Sequence, residues 1–253
     1  MLLRRFTQHV KDQNWFAVGL DFIIVVIGVF IGIQLGNWND ARADAARERG
    51  YLQRLQSDLG VDRARIGEHL EFNRSIRAYG LEALDYAESG AEGADGWTVV
   101  LAFFQASQAG GLVTIATTYN ELTSTGDVRL IDNLGLRRDL ADYYSEPDVS
   151  RVIAEMPAYR ESVRGIIPID IQNYIWDNCH ETTLTGQRTL PCDRPAGEAL
   201  DETIDSLVAD PALMRQLRYW VSSRRAAENI IANRMSQATE LSDRIDTILK
   251  AGE

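Results

Sequence analysis

The chain of 253 residues carries 26 Lys and Arg against 37 Asp and Glu, a formal net charge of −11, with 45% hydrophobic and 25% charged residues. Such a composition belongs to a folded protein and not to a disordered one. The acidic balance, with Arg interspersed among Asp and Glu, excludes a general nucleic-acid binder, which needs clustered cations to meet phosphates.

The first element is WFAVGLDFIIVVIGVFIGIQLGNW, from Trp15 to Trp38, in which Asp21 is the one charge between Phe16 and Leu35. At about 1.5 Å per residue, a helix of roughly 20 residues crosses the hydrocarbon core. Three readings compete. Ala41-Arg42-Ala43 would serve as a signal-peptide cleavage site, and a buried soluble helix is the second reading. The apolar run is apolar on all faces, is flanked by Trp at both ends and continues as a helical pattern past Ala43, which favours a retained single transmembrane helix. The expected organisation is a basic tail over residues 1–15, a span over 16–38 and a helical domain over 39–253.

Orientation follows from weaker signals. Arg4, Arg5 and Lys11 against Asp12 favour a cytoplasmic amino terminus, although Arg42, Arg47, Arg49 and Arg54 follow the span. Cys179 and Cys192 close a short loop, NCHETTLTGQRTLPCD, and a pair of that kind suits a disulfide in an oxidising compartment. Together these place the chain in a bacterial inner membrane with its domain in the periplasm. Within the span, Asp21, Val25, Gly28, Gly32 and Gly36 share one helical face. The overlapping GxxxG steps would let another helix, from a second copy or another membrane protein, approach closely. Asp21 either snorkels to the interface or pairs with that neighbour.

Beyond the span, Leu52, Leu55, Leu59, Ile66, Leu70, Ile76 and Leu84 recur at three-four spacing, predicting a helix from Asp40 to about Ala87 in which Gly50, Gly60, Gly67 and Gly80 mark bends. SGAEGADG, from Ser89, reads as a turn. Trp97 to Ala109 is a short buried apolar helix. Thr118 and Glu121 have capping-box spacing, so a helix should start at Thr118 and stop near Gly126. Leu136, Leu140 and Tyr143 carry a helix towards Pro147. Further helices are expected over Val149–Arg164, kinked at Pro157, over Asp170–Trp176, and from Glu198 to Leu207. The last helix starts with Asp210 as cap and Pro211 at its first position. Leu217, Ile231, Ala238 and Ile245 alternate in it with Val221, Met235, Leu241 and Ile248 in heptads up to Lys250. With no period-two alternation, the fold class is all-α: a transmembrane helix continuing into an elongated antiparallel helical bundle.

The tail, the span DFIIVVIGVFIGIQLGNWND running into YLQRLQSDL, and the later TYNELTSTGDVRLIDNLGLRRDLADYY together resemble an uncharacterised family of single-span bacterial membrane proteins, a domain of unknown function. The resemblance covers roughly the first 145 residues, leaves the cysteine loop outside, and places Asp21 where most members carry Glu. It implies single-span topology and a helical fold, and it carries no catalytic residues.

Candidate chemistry is sparse. Cys179, His180, Glu181, Cys192 and Asp193 form the strongest local cluster, open to three readings: a disulfide, free thiols or a metal. The close CxxC spacing of structural zinc sites is missing, and the disulfide leads. Aligning the two long helices antiparallel brings His69 and Asn73 near Glu228 and Arg224, all at seam positions. Such a layer either fixes register or binds a small anion and responds to pH. Thr117, Thr118 and Tyr119 near Asp127 and Arg129 could line a polar pocket or act as caps, and Trp97, Trp176 and Trp220 read as core. No nucleophile elbow, P-loop or dinucleotide fingerprint occurs. The expectation is a non-enzymatic interaction or structural protein without cofactor or metal, an oligomer or accessory subunit of an envelope complex. The alternative is a periplasmic ligand-binding or sensor module that signals through a partner.

Overall fold

The computed structural model describes residues 15–90, 93–145, 156–197 and 200–251; the basic tail lies outside the described residues. Among them are eight α-helices, one 3₁₀ turn and two three-residue strands. The chain divides into two units, Met1–Gly50 and Tyr51–Glu253.

Helix α1 runs from Trp15 to Ser89. In the first unit it is long and apolar enough to cross a membrane, and none of its apolar window is buried against protein. Phe22, Ile24, Val25, Phe30 and Trp38 are all exposed. The Arg42 guanidinium lies 4.6 Å from the centre of the Trp38 ring, a cation–π pair at the end of the apolar run.

In the second unit the rest of α1 runs antiparallel to α8 (Pro211–Ala251). Gln56 Nε2 donates to Ser242 Oγ at 2.9 Å, and Asn73 Nδ2 donates to the Arg224 carbonyl at 3.0 Å, so numbers rise on one helix as they fall on the other. The seam of α1 keeps a strict heptad: Leu52, Leu55, Leu59, Asp62, Ile66, His69, Asn73, Ile76, Gly80 and Ala83 are all buried. Leu217, Trp220, Arg224, Ala227, Ile231, Arg234, Ala238, Leu241 and Ile245 answer from α8. The α8 start is as read from sequence: Asp210 Oδ1 accepts the amides of Ala212 at 2.8 Å and Leu213 at 3.2 Å. The helix is continuous through Gly50, Gly60, Gly67 and Gly80. Gly80 serves as the point of closest approach, since a Cβ there would lie 2.5 Å from Val221 Cγ2.

The core falls into two apolar clusters. One gathers Leu52, Leu55, Leu59 and Ile66 of α1 with Ile231 and Ile245 of α8 and with Leu136, Leu140 and Tyr143 of α4 (Leu134–Ser145). The other surrounds α2 (Gly96–Ala106), whose residues from Trp97 onward are buried except Thr98. A helix with so little exposed surface must satisfy its carboxyl-terminal carbonyls inside the protein. Tyr159 Oη donates to the Phe103 carbonyl at 2.7 Å, Ser107 Oγ to Phe104 at 2.7 Å and Trp220 Nε1 to Ala106 at 2.7 Å. Arg160 Nη1 then donates to the Ser107 carbonyl at 2.9 Å, setting a cation at the negative end of the helix dipole.

Three local expectations are corrected. Helix α3 (Thr117–Thr125) is not closed by its own capping box: the Thr118 amide donates to Asp58 Oδ2 of α1 at 3.3 Å. Glu121 accepts instead from Arg54 Nη1 at 2.7 Å, because the tertiary partner supplies a full charge where the local box offers one amide. Its left-handed stop at Gly126 is as expected. Pro157 is the residue before α5 (Ala158–Ile166) and not a kink within it; residues 149–155 of the expected helix lie outside the described residues. The cysteine loop contains a hairpin absent from the sequence reading, β1 (His180–Thr182) paired antiparallel with β2 (Gln187–Thr189). Helix α6 (Ile169–Asn178) precedes it, and α7 (Asp201–Ala209) follows it.

Candidate functional site

Between the two apolar clusters the heptad seam turns polar. Asn73 and Arg224 form a reciprocal pair, with Arg224 Nη1 donating to Asn73 Oδ1 at 3.2 Å in return for the bond to the Arg224 carbonyl. Arg224 is 1% exposed, and its guanidinium stacks 3.8 Å from the centre of the Trp220 ring. His69 is 7% exposed and its Nε2 has no hydrogen-bond partner. Burial and the neighbouring Arg224 charge push its pKa from 6.5 down to about 4, so the imidazole is neutral at physiological pH. Glu228 turns away from this pair: it accepts from Arg225 Nη1 at 2.8 Å and lies 3.9 Å from Arg77 Nε.

A second polar layer was not read from sequence. Asp62 is wholly buried and accepts from the Ile115 amide at 2.7 Å and from Tyr143 Oη at 3.0 Å. Arg234 stacks 3.6 Å from the centre of the Tyr143 ring and donates to the Tyr143 carbonyl. Burial raises the Asp62 pKa, opposed by these two hydrogen bonds and by the Arg234 and Arg65 charges. The signal was available, since Asp62 and Arg234 occupy the same heptad positions as Leu55 and Leu241.

His69 borders a cavity of about 320 Å³. Its walls are this turn of α1, the Gly110–Val113 segment and the turn between β1 and β2. Arg65 also lines it; its Nε is buried without a partner, and its Nη1 reaches the Val113 carbonyl at 3.4 Å. The hairpin that forms the third wall is held by α1, where Ser75 Oγ and Thr189 Oγ1 share a hydrogen bond at 2.5 Å, and by a disulfide. Glu68 Oε2 accepts from Thr183 Oγ1 at 3.0 Å and Thr185 Oγ1 at 2.6 Å, and Cys179 is bonded to Cys192. Both cysteine carbonyls are anchored on α2, by Gln105 Nε2 at 2.8 Å and Trp97 Nε1 at 3.1 Å. With the two sulfurs bonded to each other, neither is a thiolate available to a metal. His180 packs edge-on against Trp176, ring centres 4.6 Å apart.

The remaining sequence candidates are separate from this cavity. Asp127 accepts from Tyr51 Oη at 2.9 Å, and Tyr119 stacks on Tyr144 with centres 4.7 Å apart. In the first unit, Asp21 is exposed, and a side chain added at Gly28, Gly32 or Gly36 would meet nothing within 4 Å. Comparison with protein-family models, with curated proteins and with solved structures gives no match.

Proposed function

We propose that this chain is a single-pass bacterial inner-membrane protein, amino terminus cytoplasmic and helical domain periplasmic, that acts by association and not by catalysis. It would serve as an oligomer or as an accessory subunit of an envelope complex. The observation that carries the reading is the bare apolar stretch of α1: a helix with every side exposed and apolar is stable only when lipid or another helix covers it. The open face of Gly28, Gly32 and Gly36 gives such a helix a place for close packing, with Asp21 on the same side. The disulfide between Cys179 and Cys192 supports an oxidising compartment.

The test is crosslinking within native membranes, with single cysteines introduced one at a time around the span. Preferential crosslinking at residues 28, 32 and 36 is expected, together with a native mass in detergent above that of one chain. A uniform crosslinking profile and a monomeric mass would remove the proposal.

A further inference from the structure

We propose that residues 110–114 form an open edge on which an extended, uncharged segment of another polypeptide docks as an added strand. These residues run antiparallel to α1 with the chain drawn out. A Cβ on Gly110 would lie 3.4 Å from Phe72 Cε1 and 3.7 Å from His69 Cε1. Further on, the Val113 carbonyl accepts from Arg65 Nη1 at 3.4 Å, and the Ile115 amide donates to Asp62 Oδ1 at 2.7 Å. From Gly110 to Ile115 the chain thus passes from Phe72 and His69 to Asp62, about 10–15 Å of helix at about 1.5 Å per residue. That is about 2–3 Å for each residue of the segment, well above a helical rise and approaching that of a strand. In an extended chain the N–H and C=O of one residue share an edge, and the edge alternates with each residue. Val113 and Ile115 turn theirs to α1, so Leu112 and Thr114 turn theirs away from it. Among the described residues, no amide from Gly110 to Thr114 has an intramolecular hydrogen-bond partner, and of their carbonyls only that of Val113 has one.

The charge of this surface says what fits it. No residue from Gly96 to Asn120 or from Thr182 to Gln187 is charged, in a chain of which 25% is charged. Both stretches contribute to the lining of the cavity of about 320 Å³, where Val113 is 71% exposed and Leu184 at the hairpin tip 100% exposed. The charges beside them are engaged within the protein, Arg65 with the Val113 carbonyl and Glu68 with Thr183 and Thr185. A charged partner would lose hydration against this surface without gaining a counter-charge. An uncharged strand gains instead: its main chain pairs with the free groups of Leu112 and Thr114, and alternate aliphatic side chains cover Val113 and Leu184. A lipid chain offers no row of donors and acceptors to match the edge. This inference is independent of how the span associates.

The test is titration of the full chain in detergent with labelled, end-blocked pentapeptides that alternate threonine with valine, leucine or phenylalanine, followed by fluorescence anisotropy and hydrogen exchange. Saturable binding of at least one peptide is expected, with exchange slowed at the amides of Leu112 and Thr114. The same peptide N-methylated at its backbone amides keeps its side chains and loses its donors, and should bind about tenfold more weakly or worse. Val113→Asp sets a charge on the edge at an exposed position, and should weaken binding about tenfold while leaving the melting temperature unchanged. The proposal falls if no peptide saturates, if the N-methylated peptide binds as tightly, if Val113→Asp binds like the parent chain, or if exchange at Leu112 and Thr114 is the same with peptide bound. It falls in favour of a second copy of this chain if those amides become protected as protein concentration rises without peptide.

Discussion

Two glycines of α1 provide the sharpest test of how the long helices pack. Gly60 is exposed, and a Cβ there would meet nothing within 4 Å, so Gly60→Ala should gain the helix-propensity difference of about 1 kcal/mol. Gly80 is buried, and the same substitution would set a Cβ 2.5 Å from Val221 Cγ2. Val221 is β-branched and stiff at χ1, and it sits on a helix fixed by Leu217 and Trp220, so it cannot swing aside. Overpacking of this kind costs about 1–3 kcal/mol, which offsets the propensity gain and leaves a net loss of up to about 2 kcal/mol. For a chain of this length each kcal/mol moves the melting temperature by about 2–4 °C. Thermal unfolding of the full chain in detergent, followed by near-ultraviolet circular dichroism, should therefore show the two alanine variants shifted in opposite directions. Adding Val221→Ala to Gly80→Ala should cost less than the separate effects imply, with a coupling of about 0.5–3 kcal/mol. If Gly80→Ala stabilises the protein as Gly60→Ala does, the close approach of α1 and α8 is wrong.

His69 makes stability depend on pH with a definite sign. Its pKa falls from 6.5 to about 4 on folding, so between these values the unfolded chain holds a proton that the folded chain does not. The contribution is intact above pH 6.5 and is lost as pH falls towards 4, to a total of about 3 kcal/mol. Denaturation at pH 7.5 and pH 4 should show the parent losing about that much more than His69→Gln; equal losses would refute it. Asp62, whose raised pKa acts in the opposite direction, is common to both proteins and cancels in the comparison. Tyr143→Phe withdraws a donor from the buried Asp62 carboxylate and should cost about 1–3 kcal/mol, read as a lowered melting temperature. Replacing Cys179 and Cys192 together by serine opens a loop of sequence separation 13 and should cost about 3 kcal/mol, with hydrogen exchange accelerated first at the hairpin amides of Glu181 and Arg188.

The long helices were legible because their signals are local and repeated. The heptads of α8, its Asp210-Pro211 start and the Gly126 stop of α3 depend on a few neighbouring residues, and the structure keeps all three. The polar layer was half legible: an antiparallel register was enough to bring Asn73 to Arg224, but not to say that Glu228 would face Arg77 and Arg225. That choice depends on rotation about the helix axis, which packing sets.

By itself, the amino-acid order determined an apolar helix fit for a membrane, a predominantly helical remainder and a cysteine pair spaced to close a loop, because periodicity, length and cap residues are properties of the chain. Only the tertiary structure decided where each charge found its partner. Thr118 is capped by Asp58 and Glu121 goes to Arg54, because a residue distant in sequence outcompeted the local one. The hairpin has strands too short to show a pattern and exists because the disulfide, Glu68 and the side chains of α2 hold its ends. The cavity beside His69 is bounded by three segments far apart in the chain, so no stretch of sequence contains it.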